Sequence, residues 1–223
     1  SFSWALGVLD AVPDRTTVVL HPLMDTGARS LDGQPVCASE VRGGATGWLA
    51  EAITGRGGIY TVLSPERHDR IMTYVLAMTH QALLGFVTAV ADSGLDLGDE
   101  LWAARTPLFE ALLGLAVSLL EENQELTLAH IQASVDGDTA AAELAAAAAS
   151  VSASAASRDG LVARIAATRD RFSGALFDTV RNTAAATLAA GQSKRAALAR
   201  VRRLGGLVGL HPTGRPDKLR VGR

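Results

Sequence analysis

The sequence predicts a mostly α-helical chain with a short α/β region at its start. Three observations predict it. Aromatic residues make up only 4% of the chain while alanine abounds, which favours closely packed helices over a β-sandwich. Compact apolar or β-branched runs of strand length fall before residue 64: Thr16 to Leu20, Pro35 to Ser39 and Ile59 to Leu63. From Ser64 onward the apolar residues recur at helical spacing.

With 223 residues and 48% hydrophobic composition, the chain can bury a sizeable core. Its net charge of −2 provides no global field for nucleic acid. The charge is uneven, however. Lys194 to Arg223 holds nine Lys or Arg against one acid, Asp217, a local balance of +8, so the remainder carries about −10. No aromatics interleave this basic cluster, and no nucleic-acid motif accompanies it, so no nucleic-acid partner is expected. Cys37 is the only cysteine, which excludes an intrachain disulfide and a cysteine-rich metal site and fits a reducing cytoplasm. No signal peptide or membrane-spanning helix is expected. The alanine-rich run from Thr139 to Ala156 is broken by Glu143 and serines and is too weakly apolar for lipid.

Taken in order, Trp4 to Val12 reads as a short helix stopped by Pro13. Thr16 to Leu20 is a buried strand ended by His21-Pro22, and a loop runs to Gly33. Pro35 to Ser39 follows as a second strand. Thr46 to Ile53 fits a helix closed by Gly55, Gly57 and Gly58, and Ile59 to Leu63 is a third strand. Strand, helix, strand suggests a parallel sheet. The glycine group precedes a strand rather than following one, so it reads as a turn and not as a dinucleotide loop. Residues 1–63 thus resemble the last part of a Rossmann-like α/β domain without its opening βαβ unit.

Residues 64–204 read as all-α, and 205–223 as a basic tail rich in glycine and proline. Ser64 is a fitting N-cap, Pro65 suits the first turn, and Glu66 favours the positive helix N-terminus. Ile71, Tyr74, Val75, Met78, Leu83, Phe86, Val87 and Val90 mark one apolar face, and Ser93-Gly94 ends the run. Further helices are expected over Gly98 to Ala104, from Thr106-Pro107 to Glu122, and from Gln124 to Ser134. The alanine run follows, ending near Asp159-Gly160. Leu161 to Ala190 comes next, interrupted at Gly174 and stopped at Gly191, and Ser193 to Leu204 is last. Glu121, Glu122 and Glu125 read as a solvated helix end, and no metal site is expected. His130 and His211 show no partner in the sequence.

His68 sits in the first turn of the helix that opens at Ser64, and His80 lies among apolar neighbours about three turns on. Taken alone, His80 reads as a core histidine bonded to a backbone carbonyl, and His21 as a polar residue at a strand end. Strand ends beside glycine-rich loops are also where α/β proteins place functional groups.

Three segments carry a resemblance: VVLHPLM, GGIYTVLSPERHDRIMTYVLAMTH and TPLFEALLGLAVSLLEENQELTLAHIQAS. Together they resemble the prephenate and arogenate dehydrogenases from about Thr16 to Ser134, with weaker helical similarity to about Leu204. The resemblance implies NAD(P)-linked oxidative decarboxylation of a prephenate-like cyclohexadienyl acid, in aromatic amino acid or specialised metabolism. It implies His21 as the base at the ring hydroxyl, His80 shaping the substrate pocket and His68 at the domain junction. It also implies a helical domain that pairs two subunits into a homodimer. A neutral imidazole suits the base role, because an alcohol carbon becoming a ketone must shed its hydroxyl proton.

Two features depart from that family. Its carboxylate-gripping arginine is replaced by Ser118, so either the ligand lacks that carboxylate or another cation supplies the charge, with Arg105, Arg70 and the basic C-terminal cluster as candidates. There is no GxGxxG after a strand to bind NAD or NADP, so the sequence is expected to be either a fragment of a longer protein or one that has lost redox chemistry. These departures support a second reading: a repurposed homologue that has lost hydride transfer and either binds a related small molecule or converts it without redox chemistry. A non-catalytic dimerisation module is the third.

Overall fold

The computed structural model describes residues 2–9, 17–24, 27–42, 47–121, 125, 127, 130–131, 137–172 and 174–205. It is mostly helical, with one small sheet near its start. The elements fall into two compact units. One holds Ser1–Gly85 and Leu119–Ala149, the other Phe86–Ser118 and Ser150–Arg223.

The first unit opens with α1 (Phe2–Leu9), followed by strands β1 (Thr17–Pro22) and β2 (Pro35–Arg42). Helix α2 (Gly47–Thr54) then leads into β3 (Ile59–Val62). The β2 strand is central, in the order β1-β2-β3. Its position explains the burial of Val36, Cys37, Ala38 and Ser39. The β2–β3 pair is parallel, as a helix-linked pair should be. The β1–β2 pair is antiparallel, so the parallel arrangement expected from the strand, helix, strand order holds for β2 and β3 and does not extend to β1. The segment between these strands has no crossover helix, so the chain can only return alongside β1 in the opposite direction. Gly33 makes this return possible with φ +70, a backbone region that side chains disfavour. At Gly57 (φ +78) a Cβ would sit 2.5 Å from Asp32 Oδ1, so the turn before β3 also requires glycine.

Helix α3 (Pro65–Met72) begins as its sequence dictates. The Ser64 hydroxyl accepts from the Arg67 amide at 3.2 Å, and Pro65 occupies the first turn. Thr73–Met78 then adopts π-helical geometry before α4 (Thr79–Ala91) resumes the α-helix. Met72, Thr73 and Ala77 are buried along this run. Gly94, with φ +74, follows its end.

The helical run Pro65–Ala91 is long and apolar enough to cross a membrane by length and composition, with mean hydropathy 1.5. The sequence reading expected no such segment. Only 11% of that window is buried, and the run carries His68, Asp69, Thr73 and His80 at buried positions with polar contacts.

A π-helical turn at Leu97–Leu101 stands where a short helix was expected, capped by Asp96. Helix α5 (Pro107–Glu121) follows. Phe86 and Phe109 meet edge to face with centroids 5.8 Å apart. Helix α6 (Gly137–Ser154) is the alanine run. Its Ala140 is buried, while most of the helix is exposed, so its alanines do not form a close-packed face within the described residues.

Ser157 caps α7 (Arg158–Arg169). After a break where the interruption at Gly174 was expected, α8 (Gly174–Gly205) runs on unbroken. Gly191 does not stop it, contrary to the sequence reading. A glycine inside a helix costs only about 1 kcal/mol relative to alanine, which a long helix absorbs. The tail beyond Gly205 and the stretch around Pro13 lie outside the described residues.

Candidate functional site

Four histidines from separate stretches of sequence meet in the first unit as two pairs. His21 sits near the end of β1, paired in register with Cys37 on β2. Burial pushes the Cys37 thiol up from its usual value, keeping it protonated beside the site. His21 Nδ1 lies 3.0 Å from His68 Nε2. His68 Nδ1 in turn lies 2.9 Å from Asp69 Oδ1. Asp69 Oδ1 also accepts the Phe2 amide hydrogen at 2.7 Å. The Phe2 ring covers His68. His68 and Asp69 are 2% and 4% exposed, so their pairing is sheltered from water.

The second pair is His80 and His130. The His80 Nδ1–H donates to the Leu76 carbonyl at 2.7 Å, and His80 Nε2 lies 3.1 Å from His130 Nδ1. The sequence reading of His80 as a core histidine bonded to a carbonyl therefore describes one of its nitrogens. The other is occupied by a residue to which the sequence assigned no role.

The π segment explains how one helical run serves both pairs. His68 and His80 are twelve positions apart. A straight α-helix, at about 100° per residue, would set them about 120° apart in azimuth. A π segment takes up roughly one extra residue, which reduces the offset to about 20°. Both histidines are buried, and His130 is close enough to His21 to influence its charge.

His21 is half-buried. Burial first, and His68 second, hold its imidazole below the usual histidine value, while the Asp69 carboxylate pulls the other way. A neutral ring at neutral pH is the state a general base requires.

The remaining sequence candidates are Arg105, Ser118 and Arg70. Arg105 belongs to the second unit, where its Nε donates to Glu110 at 2.9 Å and its Nη1 to the Trp102 carbonyl at 2.7 Å. Its guanidinium also lies 4.3 Å from the Trp102 ring centroid. It lines a cavity of about 420 Å³ with Leu95, Leu101 and Phe109. Ser118, in the same unit, donates its hydroxyl hydrogen to the Leu115 carbonyl one turn back at 2.7 Å. Arg70 donates to the Tyr74 hydroxyl at 3.2 Å, and that hydroxyl donates to Glu143 at 2.7 Å. His211 and most of the basic cluster's side chains lie outside the described residues.

Neither His130 nor Phe2 was legible in the sequence as part of this site. Asp69 was visible only as the neighbour of His68. Among the described residues, no group of three or more His, Cys, Asp or Glu is arranged to hold a metal ion. No protein-family model matches the chain, and no curated protein matches it.

Proposed function

We propose that this chain is a prephenate-dehydrogenase-like protein in which His21 is the base for oxidative decarboxylation of a prephenate-like cyclohexadienyl acid. The observation that carries the reading is a half-buried strand-end histidine, held neutral by its surroundings and fixed at Nδ1 by His68. In this reading His21 takes the proton of the ring hydroxyl, and oxidation of that carbon to a ketone would need NAD(P) to accept its hydride. Loss of carbon dioxide then makes the ring aromatic and the reaction irreversible. His68 orients the base, and His80 with His130 forms a wall of the pocket.

The resemblance links the reaction to NAD or NADP. The described residues do not fit a dinucleotide: Gly55 to Gly58 form the turn that precedes β3, not a loop that follows a strand and opens a helix. No hydride step is therefore assigned to these residues. In a second reading the same pocket binds the acid or converts it without redox chemistry. The loss of the arginine supports it: Ser118 carries no charge and bonds within its own helix, and Arg105 is paired with Glu110.

The expected setting is the cytoplasm, and the expected partner is a second copy of the chain. Exposed Val151, Val162, Ile165, Leu176 and Val180 on the helices of the second unit support pairing. The test is incubation with prephenate and its aminated analogue, with and without NAD(P), followed by mass spectrometry. NAD(P)-dependent loss of carbon dioxide, abolished in His21→Asn, supports the dehydrogenase. A product formed without NAD(P) supports the second reading. If His21→Asn matches the wild type in turnover and in binding, neither reading holds.

A further inference from the structure

We infer that Asp69, His68 and His21 form a proton relay in which Asp69 and His68 are positioning residues that set the tautomer of His21 and receive the charge it takes up. The inference rests on the base role proposed for His21. The argument is one of donors and acceptors. An ionised carboxylate can only accept, so His68 must carry its hydrogen on Nδ1, facing Asp69 Oδ1 at 2.9 Å. A neutral His68 then has a bare lone pair on Nε2. That lone pair faces His21 Nδ1 at 3.0 Å, so His21 must place its hydrogen on Nδ1. Its Nε2 is left bare, as an acceptor for a ligand hydroxyl.

The relay also provides a route for charge. When His21 Nε2 takes a proton from the ligand, the ring can pass its Nδ1 hydrogen to His68 Nε2. One proton enters and one shifts inward, leaving His21 neutral and His68 an imidazolium against the Asp69 carboxylate. The Phe2 amide, donating to the same Asp69 oxygen at 2.7 Å, fixes that carboxylate, and the Phe2 ring shields the pair from water.

The other histidine pair provides the contrast. Its anchor is the neutral Leu76 carbonyl, which fixes the His80 tautomer in the same way but brings no negative charge to an imidazolium. The two relays are alike in connectivity and differ in the charge of their anchors. The one ending in Asp69 sets a negative charge against an imidazolium.

The test is a two-bond proton–nitrogen spectrum of the full chain with ¹⁵N-labelled histidine at pH 7.5, assigned with His21→Gln and His68→Gln. The expected result is both His21 and His68 as Nδ1–H tautomers, and an Nε2–H form of His21 overturns the relay. The spectrum needs no substrate, so it is independent of the proposed reaction. Loss of the dehydrogenase reading with the tautomers intact would remove the substrate and leave the relay standing. Asp69→Asn, which can keep an oxygen toward both donors, separates charge from orientation. On the proposed substrate it should lower kcat by about tenfold or more with KM little changed, and move the acid limb of the pH profile to lower pH. An Asp69→Asn protein with wild-type kcat and pH profile would also overturn the relay.

Discussion

Phe2 lies flat on His68, with ring centroids 3.6 Å apart and planes within 5°. A residue on the first helix thus closes the far side of the imidazole that orients His21, and its own side chain is only 3% exposed. Phe2→Ala would open this packing while leaving the amide to Asp69 in place. The expected loss is about 3 kcal/mol of stability, at the low end for removing a buried phenylalanine. Urea unfolding measures it, and a midpoint unchanged from wild type would mean that α1 does not support the site.

His21 should make the protein acid-sensitive. Its folded value is lowered by burial and then by His68, with His130 acting in the same direction and Asp69 opposing. The unfolded chain therefore binds the proton more readily. The contribution is fully present above the ordinary histidine value of about 6.5 and is lost as pH falls below it. Wild type should lose more stability between pH 7.5 and pH 5.5 than His21→Gln does. Parallel pH profiles for the two would contradict this.

The 3.1 Å contact between His80 and His130 should appear as energetic coupling. In a double-mutant cycle with His80→Ala and His130→Ala, we expect a coupling of about 1 kcal/mol, the net value of one hydrogen bond. Strict additivity would show that the pair contributes nothing to the fold.

Tyr74 should titrate late. Its hydroxyl donates to Glu143 at 2.7 Å, and this bond, with burial as the next cause, raises its value above 10.0. An absorbance titration should show one of the protein's two tyrosines ionising high, returning toward the ordinary value in Glu143→Gln. An unchanged curve in that variant would remove Glu143 as the cause.

Removing one residue from the π segment should restore a regular α-helix and keep α3 and α4 in phase, because eleven α-helical positions also set His68 and His80 about 20° apart. Deletion of the half-exposed Val75 is one arm of the test, and insertion of an alanine after it is the other. The deletion should keep helix content by circular dichroism and cooperative unfolding, whereas the insertion should weaken cooperative unfolding by turning His80 about 100° out of phase. A deletion variant that loses cooperative unfolding would show that the π segment does not take up one extra residue.

Much of this architecture is local and so was readable. Ser64 and Pro65 announced the start of α3, the β-branched run announced β1, and Gly94 marked the end of α4. The direction of β1 was not readable, because its pairing with β2 depends on how the intervening loop returns, not on the composition of either strand. The pairing of His80 with His130 spans 50 residues and leaves no periodic trace. The π segment was invisible for a similar reason: TYVLAM suits an α-helix equally well, and the extra residue is held by tertiary packing. Gly191 misled because glycine weakens a helix without forbidding it.

The three-stranded sheet has a further consequence for handling the protein. Among the described residues β1 and β3 each pair on one side only, and Leu20, Ile59 and Val62 on these strands are exposed. Uncovered strand edges with apolar residues template aggregation. Concentrated or heated samples should therefore lose material through these edges, and a lysine at position 62 is the conservative way to blunt one of them.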